Sequence, residues 1–206
     1  MTTISFMNDM ILAYQAGLKT QTRRVIQKQP PVGWRLSSDT GMVYRGRTLA
    51  RWESSNGMWT TYCPYGQPGD LLGFLEGYQI VSADTSTRNV QVRYLADDTL
   101  FDVELTPQEL AKWERRKYPY RATPGRFMYR SLVRYTPKIL SIRVERVQDI
   151  SDEDILTEGV EPIRCARTDV NREVFSELWD SINSKRGYGW EQNPYCWVVE
   201  VERNNR

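Results

Sequence analysis

The sequence predicts an α+β fold built as a small mixed β-barrel with flanking helices. Three observations predict it. Runs that alternate apolar and polar residues stand at 89–95 and 138–147, and an apolar run rich in valine and aromatics at 195–202 reads as a final strand. Helical signals are few and mostly short, at 8–17, 106–116, 151–157 and 171–182. A 206-residue chain that is 40% hydrophobic, with seven tryptophans, has enough apolar surface to bury a core as one domain spanning 1–206.

The elements follow in order. Asn8 or Asp9 caps a first helix whose Met10, Ile11, Ala13 and Tyr14 share a face, and Gly17 suits the position just past its end. Residues 22–26 read as extended, and Pro30-Pro31 stops them. Residues 31–62 mix Trp34, Tyr44, Trp52 and Trp59 with Arg35, Arg45, Arg47 and Arg51, and short hairpins fit them. Such aromatics either pack an irregular insertion or stack on bases. Cys63 to Asp70 reads CPYGQPGD, with Pro68-Gly69 at the centre of a type II turn. Residues 71–80 form a strand or a strand pair interrupted by Gly73 and Gly77. Val90, Val92 and Tyr94 share one face of the next strand. Thr106-Pro107-Gln108-Glu109 opens a helix with a cap, a proline at the first position and an acid at the third. In 138–147, Leu140, Ile142 and Val144 face one way, and Ser141, Arg143 and Glu145 the other. Ser151 caps a short helix that Glu158-Gly159 ends, and Val174, Phe175, Leu178, Trp179 and Ile182 line a longer one.

Charge is uneven beneath a net +2. Residues 1–69 hold eight Lys/Arg against three Asp/Glu, and residues 112–143 hold ten against one. Residues 145–161 hold seven acids and one arginine. The basic blocks suit phosphate contacts or a solvated, paired surface. Arg130, in the second block, is a candidate binding residue for nucleic acid or substrate. Asp149, Asp152, Glu153 and Asp154 resemble a metal cluster in composition, but three of them stand at a helix start, where acids stabilise the dipole.

Several function classes are excluded or weakened. The chain has no histidine, which removes the common Ser-His triads and His-ligated zinc. Cys63, Cys165 and Cys196 show no metal spacing and are expected to be structural or incidental in a reducing compartment. No apolar run approaches about 18 residues, so no membrane partner is expected. The N-terminus lacks a secretory pattern, which points to the cytoplasm. No metal and no cofactor are expected.

Gly17-x-Lys19-x-x-Thr22-x-Arg24 resembles the N-terminal signature of the ASCH domain, a branch of the PUA-like superfamily. Three further blocks are similar to its phage and prophage members. These are Pro64-Tyr65-Gly66-x-Pro68-Gly69-Asp70, then Val144 to Ser151 with Glu158-Gly159, then Phe175-x-x-Leu178-Trp179-Asp180-Ser181-Ile182-Asn183 through Asn193-Pro194 and Trp197-Val198. They cover about half the chain, in family order. The resemblance implies a PUA-like barrel carrying two insertions, at about 31–62 and 83–126. It implies RNA, single-stranded nucleic acid or a modified nucleoside as partner, in a host cytoplasm if phage-encoded. One family enzyme removes the acetyl group from N4-acetylcytidine with a lysine, a threonine and a glutamate, which would fall on Lys19, Thr22 and Glu158. Other ASCH proteins are ribonucleases. Glu76, a candidate binding residue for nucleic acid or substrate, matches a glutamate that phage relatives precede with Trp and Arg; here Phe74-Leu75 precede it, a departure from the pattern.

The chemistry follows from the side chains. Thr22 is a nucleophile only if its proton is removed, and Lys19 takes that proton only when neutral. A free lysine has a pKa of about 10.4. Burial or the cations Arg23 and Arg24 lower it, whereas a close Glu158 opposes them. Glu158 then orients the substrate. Arg23 and Arg24 also serve as binding residues. The ordinary alternative is a lysine on a helix dipole, a threonine opening a strand and an acid at a helix end. Three readings stay open: a nucleic-acid or nucleoside-binding domain with or without hydrolysis, an amidohydrolase on N4-acetylcytidine-like nucleosides, and a phage accessory protein that binds a host protein.

Overall fold

The computed structural model describes residues 1–160 and 170–204, so Cys165 lies outside the described residues. The chain is α+β, with few helices and several small sheets. It divides into two compact units, one formed by residues 1–13 and 72–136, the other by residues 14–71 and 137–206.

In the first unit, β1 (Thr2–Ser5) pairs in parallel with β7 (Leu72–Leu75). β8 (Tyr78–Asp84), β9 (Asn89–Tyr94) and β10 (Leu100–Glu104) form an antiparallel meander. The interrupted 71–80 run is thus two strands, separated at Gly77. Val90, Val92 and Tyr94 are all buried, and join Tyr78, Ile80, Leu110, Trp113 and Leu132 in one core. α2 (Pro107–Glu114) begins with a full capping box between Thr106 and Glu109, as its sequence predicts.

In the second unit, β11 (Ile139–Arg146), β12 (Tyr195–Val201) and β2 (Gln21–Val25) form an antiparallel sheet with β2 at its edge. α3 (Asp152–Thr157) and α4 (Val170–Asn183) supply Ile155, Phe175 and Trp179 to a core that includes Val25, Cys196 and Val198 on one face of that sheet. Neighbouring residues point to opposite faces. Tyr195 therefore looks the other way, and it meets Trp52 at 5.2 Å between ring centres. Trp52 lies on β5 (Arg47–Ser54), which pairs with β6 (Gly57–Tyr62) and with the two-residue strands β3 (Arg35–Leu36) and β4 (Val43–Tyr44). The packing reading of this insertion holds for Trp52, which is fully buried, whereas Tyr44 is exposed beside Arg45.

α1 (Asn8–Gln15) ends at Gly17, whose φ of +69° is the left-handed conformation expected there. Gly69 has φ +93° and Asp70 N donates to Gln67 O, as a type II turn centred on Pro68-Gly69 requires. One expectation is corrected. Leu140 does not share a face with Ile142 and Val144, because the register of β11 shifts between Ile139 and Ser141. Ile139 is buried in its place and Leu140 is exposed. Hydrogen bonding among the described residues leaves the sheets separate and does not close them into one barrel.

Candidate functional site

The second unit holds a buried polar network where α3 ends against the edge strand β2. Thr20 N donates to Thr157 O at 2.9 Å, so the end of the helix runs along the start of the strand. Gly159 takes the left-handed turn that ends α3, with φ +87°, and this fixes Glu158 at the helix terminus. Lys19 reaches that terminus. Its Nζ donates to Glu158 O at 2.7 Å, to Glu158 Oε2 at 3.0 Å and to Gln21 O at 2.8 Å. A cation here also meets the negative end of the α3 dipole.

Arg23 extends the network. It donates to Glu158 Oε1 at 3.3 Å, Glu145 Oε2 at 2.8 Å and Asp154 Oδ2 at 2.7 Å. Arg143 stands level with Arg23 across β12, since both register with Val198, and it also donates to Asp154 Oδ2. Gln21 Nε2 donates to Asp154 Oδ1, and Gln21 Oε1 accepts from Arg143. Three cations thus face three carboxylates. Lys19, Arg23 and Glu158 are nearly withdrawn from solvent, with side chains 5%, 1% and 7% exposed. At such burial each charge depends on its partner.

Burial pushes the Lys19 ammonium below its ordinary pKa; Glu158 opposes this by charge and hydrogen bond, and Arg24 and Arg23 push it further down. Burial also disfavours the Arg23 guanidinium, but Glu158, Asp154 and Glu145 outweigh it and raise its pKa. Arg24 is lowered by burial, with Arg186 adding to the effect and Tyr65 and Glu158 resisting it.

The candidates predicted from sequence are placed as follows. Lys19, Arg23 and Glu158 come together. Thr22 and Arg24 lie on the opposite face of β2 from Arg23, since they alternate with it and register with Val199 and Trp197. Arg24 still acts electrostatically on both Lys19 and Glu158. Thr22 is a buried residue, and its hydroxyl makes no hydrogen bond among the described residues, to Lys19 or to any other group. Glu76 and Arg130 belong to the first unit. Glu76 is fully buried and takes both arms of the Arg134 guanidinium, at 2.7 and 2.8 Å. Arg130 is exposed, and its Nη2 donates to the Met1 carbonyl.

Sequence reasoning missed Gln21, Arg143, Glu145 and Asp154 as members of the network. The alternation of 138–147 already put Arg143 and Glu145 on one polar face, which was the available signal. Asp154 was concealed by its helix-start role: its backbone N–H does bond to Ser151 Oγ, but its carboxylate turns to Arg23, Arg143 and Gln21. No group of three His, Cys, Asp or Glu among the described residues is arranged to hold a metal ion. Cys63 and Cys196 are free and buried, and burial pushes the Cys63 thiol up to about 12. No described helix is long and apolar enough to cross a membrane. Comparison with family models, curated proteins and solved structures finds no match in any of the three.

Proposed function

We propose that this chain is an ASCH-type, PUA-like protein that recognises a nucleoside or nucleic acid at the edge of β2, through Lys19, Arg24 and Glu158. One observation carries the reading. Lys19 and Glu158, separated by 139 positions, are in hydrogen-bond contact. The resemblance pairs these two residues, and no property of local sequence brings them together. Recognition is favoured over hydrolysis by the valence of Lys19. An ammonium has three N–H donors, and among the described residues Lys19 Nζ has at least three acceptors, Glu158 O, Glu158 Oε2 and Gln21 O, at 2.7 to 3.0 Å. A neutral amine, with two donors and a lone pair, would face one of those acceptors with nothing to give. Lys19 is therefore an orienting cation, and Glu158 a carboxylate fixed for hydrogen bonding to a base edge.

A second reading rests on Thr22. Its hydroxyl is unengaged among the described residues, as a nucleophile waiting for substrate would be. In that reading Lys19, once neutral, takes the Thr22 proton as Oγ1 attacks the acyl carbonyl. The proton passes to the departing amine, and water then releases the acyl group from Thr22.

Incubation with N4-acetylcytidine, with cytidine followed by chromatography, separates the two. Binding detected by calorimetry without cytidine release supports recognition alone. Release that vanishes in Thr22→Val supports hydrolysis. Neither binding nor release, with short RNA also unbound, removes both.

A further inference from the structure

The first unit carries a second surface with a different chemistry. Residues 112–130 include six exposed cations, Lys112, Arg115, Lys117, Arg121, Arg126 and Arg130, against the single acid Glu114. Among the described residues none of the six is in an ion pair. Elsewhere in the same unit Arg88 pairs with Glu104, Arg93 with Asp98 and Arg134 with Glu76. Paired charge is the habit of this unit, and this segment departs from it.

The cations alternate with exposed rings. Tyr118 is 60% exposed and Phe127 54%, far from the usual burial of such side chains. Lys117 Nζ stands 5.3 Å from the Tyr118 ring centre, and the Arg126 guanidinium 4.7 Å from that of Phe127. Lys117, Tyr118, Pro119, Tyr120 and Arg121 line an open concavity of about 540 Å³, within the range of about 300–1,000 Å³ usual for small-ligand sites.

The backbone beneath is held in place. Trp113 Nε1 donates to Pro119 O, and Trp113 packs edge-on against Tyr120. Gln79 Nε2 donates to Tyr120 O and Tyr78 Oη to Phe127 O, so both halves of the segment are tied to the first residues of β8. Thr123 and Tyr78 exchange backbone hydrogen bonds. Gly125 lies so close to Leu75 and Glu76 that a Cβ there would come within 2.8 Å of their backbone. The rings are thus displayed from a fixed frame, at little ordering cost on binding.

We infer that this surface binds a single-stranded polynucleotide, with bases stacked on Tyr118 and Phe127 and phosphates neutralised by Lys117, Arg121, Arg126 and Arg130. Rings interleaved with unpaired cations match a strand that offers a π-face and a charge at every step. A lipid surface would call for an apolar face rather than isolated rings. A folded acidic protein would leave the stacking faces without a role. The inference deepens the reading given above by naming a polymer and its surface, and it uses none of the Lys19 residues.

The test is fluorescence anisotropy with labelled oligouridylate and oligothymidylate, against a duplex of equal charge. If all four cations meet phosphates, affinity for the single strands falls about 50-fold between about 50 and 200 mM salt. Tyr118→Ala and Phe127→Ala each weaken binding about 5- to 150-fold, with unchanged melting temperature because both rings are exposed. Lys117→Ser with Arg121→Ser flattens the salt slope by about 1.4. Preference for one of the two oligomers identifies RNA or DNA as the strand. No binding by the wild type, equal binding by the alanine variants, or tighter binding of the duplex overturns the inference. Arg24→Gln is run in parallel. If it loses nucleoside but keeps the polymer, the strand is held by the 112–130 surface and the inference stands; if it loses the polymer while Tyr118→Ala and Phe127→Ala keep it, the strand binds at β2 and the inference is overturned.

Discussion

Lys19 Nζ meets Glu158 twice, at the carboxylate and at the main-chain carbonyl, and so joins the edge of one sheet to the end of α3. Both side chains are buried, which makes the pair costly to break from one side. Lys19→Met should destabilise the fold by about 3–5 kcal/mol, because it takes from the buried Glu158 carboxylate its closest cation and leaves the longer 3.3 Å contact with Arg23. The double variant Lys19→Met/Glu158→Leu should recover part of that loss. Urea midpoints of the two singles and the double check this, and additive losses would show that the residues are not coupled.

The depressed pKa of Lys19 has a sign in stability. Burial holds its folded value below the ordinary lysine value of 10.5. Between the two, the unfolded chain holds a proton that the folded chain has released. Stability therefore rises with pH across that window. Replacing Lys19 by Met should remove this rise. Equilibrium unfolding at a series of pH values approaching 10.5, for both proteins, reads the difference directly.

Thr22→Val removes a hydroxyl that bonds to nothing among the described residues. The expected change in stability is within about 0.5 kcal/mol, or slightly favourable, since no partner is left unsatisfied. Any loss of cytidine release in this variant is then a loss of chemistry. A fall in melting temperature of more than a few degrees would mean that the hydroxyl is structural.

Glu109 ties α2 to the segment after it. It accepts from Thr106 N, Thr106 Oγ1, Ser131 N and Ser131 Oγ. Burial works upward on its pKa but is outweighed by the Ser131 and Thr106 hydrogen bonds, which hold it below the usual carboxylate range. That stabilisation is present above the unfolded pKa of about 4.3 and is lost as pH falls through the folded value. Glu109→Gln should flatten the acid limb of the stability profile. Thr106→Ala should cost about 1 kcal/mol at neutral pH.

Much of the local structure was legible because it depends on near neighbours. The caps at Thr106 and Ser151 and the terminal glycines Gly17 and Gly159 all follow from a few adjacent residues. The bulge that turns Leu140 outward leaves no such mark, since a period-two pattern shows no register shift. β10 was missed because its residues are mostly exposed, so burial imposes no pattern on them, and β1 because four residues give too short a run. Lys19 and Glu158 were legible as a pair through the resemblance, not through spacing. The rest of the network was not. The contacts of Asp154 with Arg23 and Arg143 depend on how α3 lies against the sheet. Thr22 and Arg23 are neighbours in the sequence, yet strand alternation puts them on opposite faces.

The most direct measurement is the NMR signal of the Lys19 side-chain nitrogen in protein labelled with 15N-lysine, recorded at neutral pH while N4-acetylcytidine or a short RNA is added. Three buried hydrogen bonds should slow proton exchange enough to show Lys19 as an ammonium. Its resonance should move on addition of at least one ligand, in step with binding measured by calorimetry. A neutral amine, or a Lys19 signal that stays fixed while both ligands bind, contradicts recognition at this site.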